Sequence, residues 1–313
     1  MSLLHDLAIT PEVFSSAGYS TPERSNDCLL QLEPLLLQEA IIRNLSGGRW
    51  KDHLEENLAD CSLAGQKLLK AMAPRLRSFE TITYDDPQSP DEWCWEALAG
   101  HQREALDGIV VGHESALRHG SDGLVCAAER VHEANWWQKR TCSVTLSRRT
   151  HDYSKEIERL LRYAKSAAFI DPYIDPTLER YAEFHKLLGI CRRRETTLWL
   201  SIHRCGYRGT GTERHTLTEC EARQIFRPLA EKLNHPDMRV RVEVFIWAGF
   251  HDRFLITDLL GLSVPYGFDI DACGEERPTR WTRLSREDSD GVLREFDENN
   301  PLHGFKFKFV LEP

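Results

Sequence analysis

The chain has 313 residues, 41% of them hydrophobic and 9% aromatic, enough for one large or two modest cores. Its formal net charge of -9 excludes a protein that coats nucleic acid indiscriminately. Nine scattered cysteines with no C-x-x-C pair exclude a disulfide framework and fit reduced thiols.

The opening stretch MSLLHDLAITPEVF has no basic region followed by a continuous apolar core, so a signal peptide is not expected and a cytoplasmic location is. Up to about residue 74 the pattern reads as mostly helical. NDCLLQLEPLLLQEAIIRNLSGG starts on capping residue types and stops at Gly47-Gly48, and WKDHLEENLADCSLAGQKLLKAM repeats apolar residues every three or four positions. SFETITY reads as a strand and DDPQSPDEW as a loop. ALDGIVVGHESALRHGSDG reads as a short strand and a broken helix, and LVCAAERVHEANWWQKR as a helix.

From about residue 141 the rhythm changes. TCSVTLS, SAAFIDPYI, TTLWLSIHRC, RVRVEVFIW and HDRFLITD read as strands, separated by the helices YSKEIERLLRYAK, LERYAEFHKLLGICRRR and ECEARQIFRPLAEKL. Alternation of this kind predicts a largely parallel sheet covered by helices. The expected organisation is a mainly helical region at 1–138, serving interaction or oligomerisation, and an α/β domain at 139–313.

Charge is unevenly spread along this frame. Residues 139–260 hold 22 Lys/Arg against 16 Asp/Glu, a basic island in an acidic chain. Within it, GFHDRFLITD sets His251, Arg253 and Asp258 at the spacing H-x-R-x4-D. On a regular strand His251 and Arg253 share a face, where an imidazole and a guanidinium together suit a phosphate. IHRCGYRGTGTERH interleaves Gly206, Gly209 and Gly211 with Arg204, Arg208 and Arg214 after a strand. A turn of that composition can turn backbone N–H groups and guanidinium charge toward an anion; a solvated connection is the plainer reading. Asp171, Tyr173 and Asp175, in IDPYIDP, sit where strand ends line α/β sites, or else serve as turn residues beside proline.

The H-x-R-x4-D stretch resembles the H-x-K-x4-D signature of the phospholipase D superfamily, with arginine in the lysine position. With SAAFIDPYIDP, TTLWLSI, Gly261 and Ser263 around it, residues 142–313 are similar to small bacterial members. They are also similar to the phospholipase D-like C-terminal domains of microtubule-interacting-and-trafficking proteins. The resemblance implies a mixed sheet with helices on both faces and a metal-free phosphodiesterase or nuclease site. His251 would be the nucleophile that forms a phosphohistidine, Arg253 the phosphate ligand and Asp258 a supporting carboxylate. No cofactor or metal is implied, and Ser263 is expected to line the site. LHDLAITPE echoes the motif but has Leu7 at the cation's place, so one motif remains and the two-histidine chemistry requires a homodimer or larger assembly. The expected partner is nucleic acid, in antiviral or mobile-element defence, and no membrane. The alternative is a non-catalytic adaptor whose second domain holds an anionic surface or a protein partner.

Overall fold

The computed structural model describes residues 3–79, 83–84, 86–120, 123–193, 196–209, 214–270, 278–300 and 302–311. The chain divides into two compact units, Met1–Thr141 and Cys142–Pro313.

The first unit runs β1 (His5–Ile9), α1 (Arg24–Pro34), β2 (Ala40–Asn44), α2 (Arg49–Glu56), α3 (Leu63–Met72), β3 (Leu76–Ser78), α4 (Pro90–Arg103), β4 (Gly108–Val111), α5 (His113–His119), β5 (Val125–Ala127) and α6 (Asn135–Gln138). Among the described residues its strands form a parallel sheet in the order β3-β2-β1-β4-β5. Helical residues outnumber strand residues, in keeping with the mainly helical reading of this region, and a parallel sheet absent from that reading organises them. The stretch taken as one helix up to Gly47 instead passes Pro34 at the end of α1, makes one wide turn at Leu35–Glu39 and enters β2. Proline cannot donate the next helical hydrogen bond, and the β-branched pair Ile41-Ile42 suits a fully buried strand, a short apolar run that periodicity alone does not distinguish from helix.

The echo at residues 4–12 proves to be β1. His5 and Asp6 are buried there. Asp6 takes Nε and Nη2 of Arg43 from β2 at 2.6 and 2.5 Å, and Arg43, 1% exposed, also reaches Glu104 at 3.1 Å. This ion pair staples the two central strands.

The second unit runs β6 (Ser143–Leu146), α7 (Thr150–Tyr163), β7 (Ser166–Ile170), α8 (Phe184–Leu187), β8 (Leu198–Cys205), β9 (Tyr207–Arg208), β10 (His215–Thr216), α9 (Glu219–Leu233), β11 (Val240–Trp247), β12 (Phe254–Thr257), β13 (Gly261–Ser263), β14 (Thr279–Arg283), α10 (Arg286–Glu295) and β15 (Phe305–Val310). Its sheet is mixed, in the order β15-β11-β8-β7-β12-β13-β14-β6. β7, β8 and β11 are parallel, and β12 and β15 flank them antiparallel. α10 brings Val292 against Ala168, Ile170 and Trp247 on one face, while Phe226 of α9 meets Phe309 on the other. The fold class is therefore α/β, with helices on both faces of this sheet. Among the described residues no helix is long and apolar enough to cross a membrane.

His203, on β8, illustrates how the α10 side is held. It stacks on Phe245 at 4.7 Å, accepts the Trp247 indole N–H at Nδ1 (3.1 Å) and meets Ser201 Oγ at 2.9 Å through Nε2. Burial holds its pKa down at about 3. An unfolded histidine titrates near 6.5, so below that pH the unfolded chain takes up a proton the folded chain refuses. Stability of the second unit is therefore full above about pH 6.5 and falls as pH drops toward 3, by up to about 1.4 kcal/mol per pH unit from this group. His203→Gln, which keeps polar partners but does not titrate, is expected to lower stability at pH 7 and to flatten the dependence between about pH 6.5 and 4.5. Urea unfolding at several pH values measures both, and equal slopes for the two proteins would remove His203 as the source.

Candidate functional site

Strand direction decides what can meet. β7, β8 and β11 end at Ile170, Cys205 and Trp247, and antiparallel β12 begins beside the end of β7, with Phe254 opposite Ile170. Ser263 pairs with Phe254 and belongs to the same end. One end of the sheet thus collects Asp171, Tyr173, Asp175, Arg204, the β9–β10 hairpin, His251, Arg253 and Ser263. In open α/β sheets ligands enter beyond the carboxyl ends of the parallel strands.

The anchor of this end is Asp171, fully buried just past β7. It accepts the N–H of Tyr173 at 2.9 Å, the N–H of Phe268 at 3.1 Å and the Tyr181 hydroxyl at 3.1 Å. Arg253 Nε lies 3.6 Å away. Burial pushes the Asp171 carboxyl up, against the two backbone donors, Arg253 and Tyr181. Arg253 also donates Nη1 to the Pro265 carbonyl at 2.7 Å and lies over the Tyr173 ring at 5.2 Å. Its guanidinium is therefore a brace between β12, Asp171 and the 264–268 turn, with its remaining donors near the surface. The side chain is 26% exposed.

His251 is exposed, in the coil before β12, with no hydrogen bond or ion pair among the described residues. It and Arg253 precede the strand, so the strand-parity argument does not fix their directions. Phe250, next to His251, is tied to β8: its N–H meets Cys205 Sγ at 3.3 Å and its carbonyl accepts from the same sulfur at 3.5 Å.

Several expectations are corrected here. Asp258 is at the opposite end of β12, where Oδ1 accepts the N–H groups of Lys165 and Ser166 at 2.7 and 3.2 Å. Five residues of extended chain put it about 16 Å from Arg253, so it caps a turn and supports no site chemistry. Arg204 is 2% exposed and spends its guanidinium on the carbonyls of Cys205, Ile174 and Tyr207. No donor of it faces solvent as a polyanion contact. Gly206 is a packing glycine: an added Cβ would stand 2.8 Å from Ile246 Cγ2. Arg208 contacts Asp175 Oδ2 at 3.1 Å, an ion contact without hydrogen-bond alignment, and donates to Thr177 Oγ1 at 2.7 Å.

The glycine-rich stretch is a β-hairpin instead of a turn leading straight into a helix, with Arg208 opposite His215 and Gly209 at φ +85°. Gly211 lies outside the described residues. Arg214 is exposed and stacks its guanidinium 3.3 Å from the centre of the Tyr207 ring. Two tyrosines, Tyr173 and Tyr207, thus each carry an arginine at this end of the sheet. The basic island is largely neutralised elsewhere by local pairs such as Arg223–Glu219, Arg227–Glu231 and Arg162–Glu158.

Tyr181, Pro265 and Gly267 escaped the sequence reading. Pro265 and Gly267 carried a signal, the P-Y-G turn composition, whereas Tyr181 carried none. In the first unit, by contrast, the crevice where strand order reverses, between β1 and β4, is filled by the chain itself: Glu12 Oε1 accepts the Gly112 N–H at 3.1 Å.

No protein-family model matches the chain, and no curated protein sequence does. Among solved structures it is similar to Nuc from Salmonella typhimurium, a phospholipase D family member, at 12% identity and a TM-score of 0.32. That match covers 52% of this chain and 97% of Nuc. It is also similar to TrmBL2, an archaeal chromatin protein with a novel mode of DNA binding, at 9% identity and a TM-score of 0.28, over 72% of this chain and 76% of that one. Likenesses of that size decide neither membership nor activity.

Gly267 gives a direct test of the anchor. It has φ +64°, and an added Cβ would fall 1.9 Å from Asp171 Oδ2. Gly267→Ala combines backbone strain with a clash against a buried carboxylate, and is expected to cost at least about 2 kcal/mol. Gly291→Ala, on α10 with only the Arg294 side chain near an added Cβ, is the control expected to be neutral or stabilising. Thermal unfolding of the two variants beside the parent reads the difference.

Proposed function

We propose that the second unit recognises phosphodiester groups of nucleic acid at the sheet end around His251, and that it cleaves them when two chains bring two such histidines to one phosphate. The observation that carries the reading is the placement of an exposed, unbonded His251 at the same strand ends as Arg253 on Tyr173 and Arg214 on Tyr207. Phosphate would meet guanidinium donors there, and unpaired bases would meet aromatic or guanidinium faces.

In this reading His251 attacks phosphorus to give a phosphohistidine. The same histidine of a second chain gives its proton to the departing oxygen, and water then releases the phosphate. Proximity and protonation carry this route. Arg253 contributes less than a free cation would, because Asp171 and Pro265 already hold it. That internal commitment favours the second reading, an adaptor that binds an anionic surface without turnover.

Cleavage of labelled single-stranded and duplex DNA and RNA separates the two. The expected result is activity that survives EDTA, is lost in His251→Ala with unchanged thermal unfolding, and rises with dimer formation. Activity retained by His251→Ala, or undiminished in a monomer, would sink the two-histidine route. Binding without cleavage leaves the adaptor. For binding itself, Arg214→Ala with Tyr207→Ala is expected to weaken single strands by about 1–3 kcal/mol per lost base stack and to flatten the salt slope. Equal affinity for parent and double variant would place the contact elsewhere.

A further inference from the structure

A different surface, on the first unit, points to a partner. Two apolar grooves flank α3. One, of about 520 Å³, lies between α2 and α3 on a floor that includes Trp50, Leu54 and Leu69. The other, of about 590 Å³, lies between α1 and α3 over Leu29 and Leu68. Leu63 lines both and is 68% exposed, forming the ridge between them. Leu58 and Leu30 stand at the outer walls, 41% and 61% exposed. An isolated exposed leucine is ordinary, but three bordering two contiguous grooves mark an interaction surface.

The charge on this surface selects the occupant. α3, LAGQKLLKAM, contains no acidic residue; of the two carboxylates that line the grooves, Glu55 of α2 is paired with Lys51, and Glu33 of α1 stands at the wall of the second groove, which Lys70 does not line. Lys67 lines both grooves and Lys70 lines the first. Neither has a carboxylate partner among the described residues, whereas Lys51 on the facing wall is paired with Glu55 at 3.3 Å. The dipole of α3 accounts for Lys70 in its last turn but not for Lys67. Residues three apart share a helix face, so the two ammonium groups form a short cationic edge beside the leucine ridge.

We propose that α3 and its two grooves dock an acidic amphipathic helix of a partner protein. Its apolar residues, at spacings of three and four, would straddle Leu63, and its carboxylates would line Lys67 and Lys70. This is the helix-in-groove mode of recognition, and the ten residues of α3 offer about 15 Å of ridge, near three turns.

The test uses the full chain and three labelled 18-residue synthetic helices: leucines on one face with glutamates beside them, the same peptide with lysines for glutamates, and one with serines for leucines. Fluorescence anisotropy is expected to show the acidic peptide binding at least about tenfold tighter than either control, with the preference weakening as salt rises. Leu63→Ser, at an exposed position and so expected to leave thermal unfolding unchanged, should weaken the acidic peptide about tenfold, and Lys67→Glu with Lys70→Glu should reverse the charge preference. The proposal falls if no peptide binds, if acidic and basic peptides bind alike, or if Leu63→Ser changes nothing. It falls equally if sedimentation shows the parent forming a dimer that Leu63→Ser dissolves, since the surface would then belong to a second copy of the chain.

Discussion

The sheet end that carries the candidate site depends on one buried carboxylate. Asp171 gathers a backbone turn, a loop 97 residues further along the chain, a tyrosine hydroxyl and a guanidinium around a single point with no exposure to water. Taking that charge out of water is costly, and the cost is offset only while every donor stays in place. The carboxylate thereby converts separate loops into one fixed arrangement. Arg253 is part of the support as well as part of the surface, so its chemistry toward a ligand and its work in the fold are inseparable.

Much of the fold was legible in the sequence because its second half alternates strands and helices with unbroken apolar runs. TTLWLSIHRC became β8 and RVRVEVFIW became β11, both long enough that length and β-branched content agreed. The first half was harder. β1 and β2 are five residues each, buried on both faces, and carry no alternation to distinguish them from helix. Asp6 and Arg43, charged and wholly interior, pulled the local pattern further toward an exposed helical face.

The site was legible only where it follows strand ends. Knowing that β7, β8 and β11 finish together was enough to bring Asp171, Asp175, Arg204 and His251 to one edge. What spacing alone did not reveal is the partner each charge already has. Arg204 differs from Arg214 not in residue type but in facing three carbonyls in place of solvent. Asp258 failed for a geometrical reason, since a four-residue strand carries its following residue to the far side of the sheet.

Asp175 has a consequence for which anions can enter. It is 2% exposed and already holds Arg208, while Arg208 itself remains reachable from solvent. An incoming anion that recruits Arg208 must replace a carboxylate that is in position and leave that carboxylate buried with one fewer cation nearby. Entry is thus an exchange, and a lone monovalent ion has little to offer against the resident contact. A strand of linked phosphates, which engages several groups at once, can meet that threshold through its other contacts. On the proposed phosphodiester reading, this exchange would make the edge discriminate by ligand valence, favouring a polymer over ambient monovalent ions.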